Sequence, residues 1–217
     1  MDIIIFLILS SLLTLQHILH SSDTFMFSLT HASFTIASIL STTGFSSLNY
    51  ELWGQAAMAL IFVAMIIGGN AGSTAGGMKV VRYIVVVKSV FAEVRRIIHP
   101  SEMVNLFIDR KMLQNKILYV TFAFITIYTF TILIVTLYLF AKGYDVSTSL
   151  SSALASIGNI GPGFSLSGPS NNYAFFDSMD LAVLSAGMIA GRLEFFTVIL
   201  LFSRTFWKKF QESVGLI

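Results

Sequence analysis

Apolar residues run in long blocks along this chain, interrupted by short polar segments. Residues 3–19, 53–67 with their continuation, 117–140 and 181–202 are apolar almost throughout. A helix needs about 20 such residues to cross a bilayer, so the four blocks predict transmembrane helices. Two shorter amphiphilic stretches, 24–40 and 146–157, lie between them. Each follows an aspartate placed to cap a helix, Asp23 and Asp145, and each ends on small polar residues and glycine. Too short for full spans, they predict helices that enter the membrane and turn back.

The composition agrees with this pattern. The 217 residues are 55% hydrophobic and only 11% charged, with a mean hydropathy of +0.82. A soluble domain carries about 25% charged residues. This chain lacks that polar coat and is expected to be solvated by lipid. A net charge of +2 is too small to point to nucleic acid. With no cysteine there is no disulfide framework, thiolate metal site or cysteine nucleophile. The first apolar block does not read as a signal peptide. Only Asp2 precedes it where a basic region belongs, and His20-Ser21-Ser22-Asp23 offers no small-residue cleavage site. It starts so abruptly that the chain is expected to be cut from, or encoded apart from, something longer.

Charge placement sets the orientation. Lys79, Arg82, Lys88, Arg95, Arg96, Arg110, Lys111 and Lys116 crowd the central segment, and Arg204, Lys208 and Lys209 follow near the C-terminus. Lys142 stands alone among Asp23, Glu51, Asp145, Asp177 and Asp180. Basic loops stay in the cytoplasm, so the central segment and C-terminus are expected there, with both short helices dipping in from outside. The halves then repeat one another as span, short helix, glycine loop, span. The expected divisions are a first repeat over 1–77, a cytoplasmic basic helix and linker over 78–115, a second repeat over 116–205 and a cytoplasmic tail over 206–217. Both loops enter from one side, which favours a symmetry axis along the membrane normal.

The loops carry the candidate chemistry. The first reads Ser41-Thr42-Thr43-Gly44-Phe45, the second Gly158-Asn159-Ile160-Gly161-Pro162-Gly163-Phe164. Irregular backbone at membrane depth survives only inside protein or along an aqueous cavity. A potassium filter uses such backbone, turning carbonyls inward to replace the ion's hydration shell. Glycine permits the dihedrals required, and the carbonyl end of the preceding helix favours a cation. Thr42, Thr43, Gly44, Phe45, Asn159, Ile160, Gly161 and Pro162 are the expected filter residues, with potassium held by the carbonyls of Thr42, Thr43, Asn159 and Ile160. Singly, either loop also fits an ordinary external turn; the repetition favours the filter.

A second unusual segment runs from Gly68 to Gly77, with five glycines and the hydroxyls of Ser73 and Thr74. Close helix packing needs small residues on one face, whereas these cover every face. A phosphate loop fails because Met78 separates Gly77 from Lys79. The segment reads as an unwound stretch lining the cavity below the loops, with Asn70, Ser73 and Thr74 offering oxygens. Arg192 is the one basic residue well inside a span. Charge at the bilayer centre costs about 2.5–3.5 kcal/mol on insertion scales, so it should face protein or water. It is expected either to bond carbonyls of the broken helix as a structural partner or to latch that segment.

These motifs resemble the Trk/Ktr/HKT superfamily of potassium transporters, most closely the C-terminal half of its bacterial TrkH branch. That family strings four membrane–pore-loop–membrane repeats in one chain, each giving one filter strand. Ser-Thr-Thr-Gly-Phe at 41–45 and Asn-Ile-Gly-Pro-Gly at 159–163 resemble the third and fourth strands. The segment 68–79 resembles the family's intramembrane gating loop, and Gly191-Arg192-Leu193-Glu194-Phe195-Phe196-Thr197 its final helix. The implied fold is an all-α membrane protein of two such repeats, four transmembrane helices plus two re-entrant pore helices, forming half of a pseudo-fourfold potassium-channel-like pore. The implied gate comprises Gly68, Gly69, Asn70, Gly72, Ser73, Thr74, Gly76, Gly77 and Arg192. The implied setting is the bacterial inner membrane, with potassium as transported substrate and no cofactor. The implied partners are a chain supplying repeats one and two, or a second copy, and a cytosolic nucleotide-binding TrkA-type regulator. Alone, the chain is not expected to conduct.

Other readings are weaker. Glycine at both Gly44 and Gly161 favours potassium over sodium, since serine at a filter glycine is the family's mark of weaker potassium preference. An intramembrane enzyme would need a base near Ser73 or Thr74, and apart from His17 near the end of the first span no histidine or lysine lies within a span to serve it. An inert remnant conflicts with the survival of every motif. His17, His20, His31 and His99 are dispersed without metal-ligand spacing. Tyr50, Trp53, Tyr144, Tyr173 and Trp207 fall near span ends and read as interfacial anchors.

Overall fold

A computed structural model describes residues 2–21, 23–69, 76–99, 107–108, 111–112, 115–192 and 207. Within them the chain is helical, apart from one two-residue antiparallel ladder between β1 (Phe107–Ile108) and β2 (Lys111–Met112). The first apolar block forms α1 (Asp2–His20) and the third forms α5 (Asn115–Ala141). Both are long and apolar enough to cross a membrane. Only 22% of the α5 window is buried inside the protein, and side chains such as Tyr119, Phe130, Ile134 and Leu137 face outward. A soluble core helix would be covered; this surface suits lipid.

The short stretches become α2 (Phe25–Leu40) and α6 (Val146–Ile157). Asp145 caps α6 as expected, accepting from the Thr148 amide at 3.0 Å. Asp23 does not cap α2. Thr24 occupies that position without a side-chain bond, and Asp23 lies instead 3.6 Å from His17 Nε2. The second block gives α3 (Gln55–Ile67), shorter than a span because Trp53 belongs to a preceding 3-10 turn, Tyr50–Trp53. The fourth gives α7 (Ser178–Arg192); its expected continuation to 202, Glu194 included, lies outside the described residues.

Helices α1, α2 and α3 pack together, as do α5, α6 and α7, and α3 meets α6 between the two groups. One apolar core joins them, since Leu154, Ala155, Ile160 and Phe164 of the second half cluster with Leu13, Ile36, Ile61 and Met65 of the first. The basic segment forms α4 (Val80–Ile98), which returns to α5 through a cation–π contact, Arg82 standing 3.7 Å from the Phe124 ring centre.

Helix α7 can approach α6 only because it presents glycine. A Cβ on Gly191 would fall on the Ile157 carbonyl, whereas one on Gly187 would meet the Ile157 side chain at 3.2 Å. Backbone cannot yield as a side chain can. Gly191→Ala is therefore expected to lower the melting temperature of detergent-solubilised protein by roughly 2–10 °C, and Gly187→Ala by less. Equal shifts would contradict this packing.

Candidate functional site

The two loops leave their helices by the same hydrogen bonds. After α2, the Thr42 amide donates to the Ile39 carbonyl at 3.0 Å and the Thr43 amide to Ser38 at 2.9 Å. After α6, the Asn159 amide donates to Ser156 at 3.0 Å and the Ile160 amide to Ala155 at 2.8 Å. This is a Schellman closure. It needs a left-handed residue just past the helix, supplied by Thr42 (φ 54°) and Asn159 (φ 54°). Asparagine tolerates that region; for a β-branched threonine it is strained. Two residues on, Gly44 (φ 77°) and Gly161 (φ 111°) are again left-handed, while Thr43 and Ile160 between them are not.

The loops also touch. A Cβ on Gly44 would overlap the Ile160 carbonyl oxygen and stand 3.1 Å from Pro162 Cδ, and one on Gly161 would lie 3.9 Å from the Gly44 Cα. Gly44 of the first loop thus lies against Ile160, Gly161 and Pro162 of the second. Ile160 is buried in the common core, whereas Phe45 is 70% exposed.

The described ends of the glycine-rich segment, 68–69 and 76–79, lie close together. The Val80 amide donates to the Gly69 carbonyl at 3.1 Å, and the Tyr83 hydroxyl to Ile66 at 2.8 Å. A Cβ on Gly68 would stand 3.6 Å from the Gly77 Cα. The chain therefore returns close to where it left α3. Gly76 then meets both loops: its amide donates to Thr42 Oγ1 at 3.2 Å, and a Cβ there would overlap the Gly158 carbonyl. Asn70, Gly72, Ser73 and Thr74 lie outside the described residues. Arg192 ends the described part of α7 and is exposed.

Side chains brace the second loop densely. Ser151 Oγ accepts from the Phe164 amide at 2.8 Å, Ser152 Oγ donates to Ser167 Oγ at 2.8 Å, and Thr148 Oγ1 accepts from Leu166 at 3.3 Å. The Tyr173 hydroxyl donates to the Gly161 carbonyl at 2.8 Å, and that of Tyr50 to Gly163 at 2.8 Å. Glu51 accepts from the Ser165 amide. Burial pushes both tyrosine hydroxyls above their usual pKa, which keeps them donors. Burial pushes Asp145 the other way from its net shift; the Thr148 hydroxyl and amide outweigh it and hold the carboxyl below the usual range. Asn159 Nδ2 reaches α7 at the Met188 carbonyl, 3.0 Å.

Of the aromatic residues near span ends, Tyr50 and Trp53 are packed inside the protein rather than placed as interfacial anchors. Tyr50 is 1% and Trp53 4% exposed, Tyr144 donates to Asp180 Oδ2 at 2.9 Å, and Tyr173 holds a loop carbonyl. Trp207 alone among them is an exposed side chain. Three of the four histidines pack near the α1–α2–α3 group, while His99 ends α4. Trp53 lies 4.5 Å from the His17 ring and Phe27 4.2 Å from His31, while His20 sits against Gly54. They form no metal-type cluster among the described residues. The bracing hydroxyls had one sequence signal: Thr148, Ser151 and Ser152 recur at helical spacing on α6.

Residues 2–209 match the TrkH family, described as a cation transport protein. The chain is 37% identical over 181 residues to the Trk system potassium uptake protein TrkH of Halomonas elongata, covering 83% of this chain and 37% of that protein. It is 30% identical over 184 residues to the protein of that name from Escherichia coli K12, covering 85% and 38%. The crystal structure of the potassium transporter TrkH from Vibrio parahaemolyticus superposes with a TM-score of 0.85 at 29% identity, covering 95% of this chain and 44% of that one. The chain thus spans well under half the length of these relatives. It belongs to the TrkH family of cation transport proteins.

Proposed function

We propose that the chain carries half of a potassium-selective pore, with the two loops as adjacent filter strands. The observation that carries this reading is the shared backbone course of the loops. Left-handed residues at 42 and 44, and at 159 and 161, alternate with ordinary ones. Such alternation turns successive carbonyls to one side of a strand, as the corresponding nests do for amides. A ladder of carbonyls on one side is what a dehydrated cation needs. The carbonyls of Thr42, Thr43, Asn159 and Ile160 then supply the sites, and the carbonyl ends of α2 and α6 add favourable potential. The names of the relatives support potassium as the cation and uptake as the process.

In this reading residues 1–77 and 116–205 form two membrane–pore-loop–membrane repeats in the bacterial inner membrane. Residues 78–115 and 206–217 face the cytoplasm, where a TrkA-type regulator docks. Two further strands complete the ring, from the first two repeats or from a second copy. The segment with Gly68, Gly69, Asn70, Gly72, Ser73, Thr74, Gly76 and Gly77 is the gate, and Arg192 restrains it. The docking of Gly76 on Thr42 and Gly158 supports a gate lying directly below the strands.

Three outcomes test this. In cells lacking other potassium uptake, co-expression with the first two repeats should give uptake, and the chain alone should give none unless two copies pair; uptake by a chain that crosslinking in membranes shows to be unpaired would overturn the half-filter. In that assembly Gly44→Ala should reduce rubidium uptake by at least ~10-fold, because its Cβ meets backbone as well as an unfavourable φ. Gly161→Ala has room, pays the φ strain alone, and should retain more uptake; the reverse order would remove the carbonyl argument. Arg192→Ala should raise flux at equal membrane abundance, and unchanged flux would remove Arg192 from the gate.

A further inference from the structure

Two tyrosines outside the expected filter residues each hold a carbonyl of the second strand. Tyr173 donates to Gly161 and Tyr50 to Gly163, both at 2.8 Å. They come from different repeats. Tyr50 sits in the 3-10 turn before α3, and its ring meets Phe164 edge-on at 5.9 Å. Its neighbour Glu51 takes the Ser165 amide and stands so near Gly168 that a Cβ there would lie 2.6 Å from Oε2. Tyr173 opens a second 3-10 turn, Tyr173–Phe175, with its ring 5.7 Å from Phe176. Beside the strand lies a cavity of about 270 Å3, bounded by Ser156, Gly161, Tyr173, Leu184, Ser185 and Met188. Gly161 and the tyrosine that holds its carbonyl both border this open space.

We propose that Tyr173 and Tyr50 are positioning residues for ion selection, fixing how far the second strand stands from the pore axis and closing its coordinating ladder at Ile160. This rests on reading the loops as filter strands and goes beyond it. A carbonyl engaged from the protein side by a hydroxyl is drawn off the ion path. The Gly161 and Gly163 carbonyls are so engaged, whereas no side chain among the described residues donates to Ile160. Discrimination between potassium and the smaller sodium depends on how closely and how stiffly the carbonyls stand. With the hydroxyl removed, the strand can relax into the cavity beside it.

The first strand is held differently. Its side-chain bonds include Ser41 Oγ with Thr43 Oγ1 at 2.7 Å, Ser41 Oγ to the Ser38 carbonyl at 3.2 Å, Thr42 Oγ1 from the Gly76 amide at 3.2 Å and His31 Nδ1 with Ser47 Oγ at 2.8 Å. No tyrosine hydroxyl bonds to it among the described residues. The tyrosines therefore act on the second strand directly.

The test is ion competition in the assembly of this chain with the first two repeats, reading the ratio of potassium to sodium block of rubidium uptake. Tyr173→Phe keeps the ring and removes the hydroxyl that holds Gly161 and neighbours Ser152, Ser156 and Ser167; it should lower the ratio by at least about 3-fold, the lower worth of one neutral hydrogen bond. Tyr50→Phe should lower it in the same direction. Tyr144→Phe removes a tyrosine bond to Asp180 rather than to a loop and should leave the ratio unchanged. A ratio is independent of expression level, so general destabilisation would lower uptake without moving it. Unchanged ratios in both Tyr173→Phe and Tyr50→Phe, with a selective wild type, would overturn the positioning role alone. A wild-type assembly that does not distinguish potassium from sodium would overturn the filter reading and this proposal with it.

Discussion

Main chain that leaves a helix within hydrocarbon must find hydrogen-bond partners before it can do anything else. Both loops meet that demand with a pair of amide-to-carbonyl bonds back to the last turn, at Ile39 and Ser38 and at Ser156 and Ala155. Much of the local geometry follows from this closure. It forces residue 42 and residue 159 into the left-handed region, at a cost of roughly 1–2 kcal/mol for a residue that is not glycine. Thr42 is the more strained of the two, and its hydroxyl accepts the Gly76 amide. Asn159 is better suited, and its amide is anchored on α7. The same closure aims each strand away from its helix, so that Gly44 comes to rest on the Ile160 carbonyl.

Unequal support distinguishes the two strands. The second is tied to α6 by Thr148, Ser151 and Ser152, to its own outer turn by Tyr173, and to the first repeat by Tyr50 and Glu51. The first has fewer such ties, but it receives Gly76 from the glycine-rich segment. Neutral hydroxyls do this bracing rather than charged groups, which suits a site where a buried unpaired charge would be costly. The one carboxylate among them, Glu51, comes from the loop outside the expected spans.

Long-period features were legible in the sequence. The apolar blocks, both short helices and the loops at Gly44 and Gly161 are properties of local composition, and α6 runs from Val146 to Ile157 as read. What escaped was every contact between distant residues. Tyr50 at a span end has the sequence signature of an interfacial anchor, and only the fold brings its hydroxyl to Gly163, 113 residues away. Asp23 was a sound cap by residue type, yet α2 starts one residue later and leaves the aspartate beside His17. Spacing along the chain likewise does not report that His17 packs on Trp53 and His31 on Phe27.

The cross-repeat bonds also bear on where a protein of this kind can be divided. Tyr50 and Glu51 of the first repeat hold the outer turn of the second, Gly44 lies against Ile160, and α3 packs on α6 within a shared apolar core. Contacts of this type couple the stability of the two repeats, because losing one leaves polar groups of the other unpaired. A cut between α3 and α5 would orphan the Gly163 carbonyl and the Ser165 amide and expose Phe164. The described residues therefore share one core and one set of loop contacts rather than dividing into two separately packed halves. A strand braced from another repeat cannot be positioned by its own sequence alone.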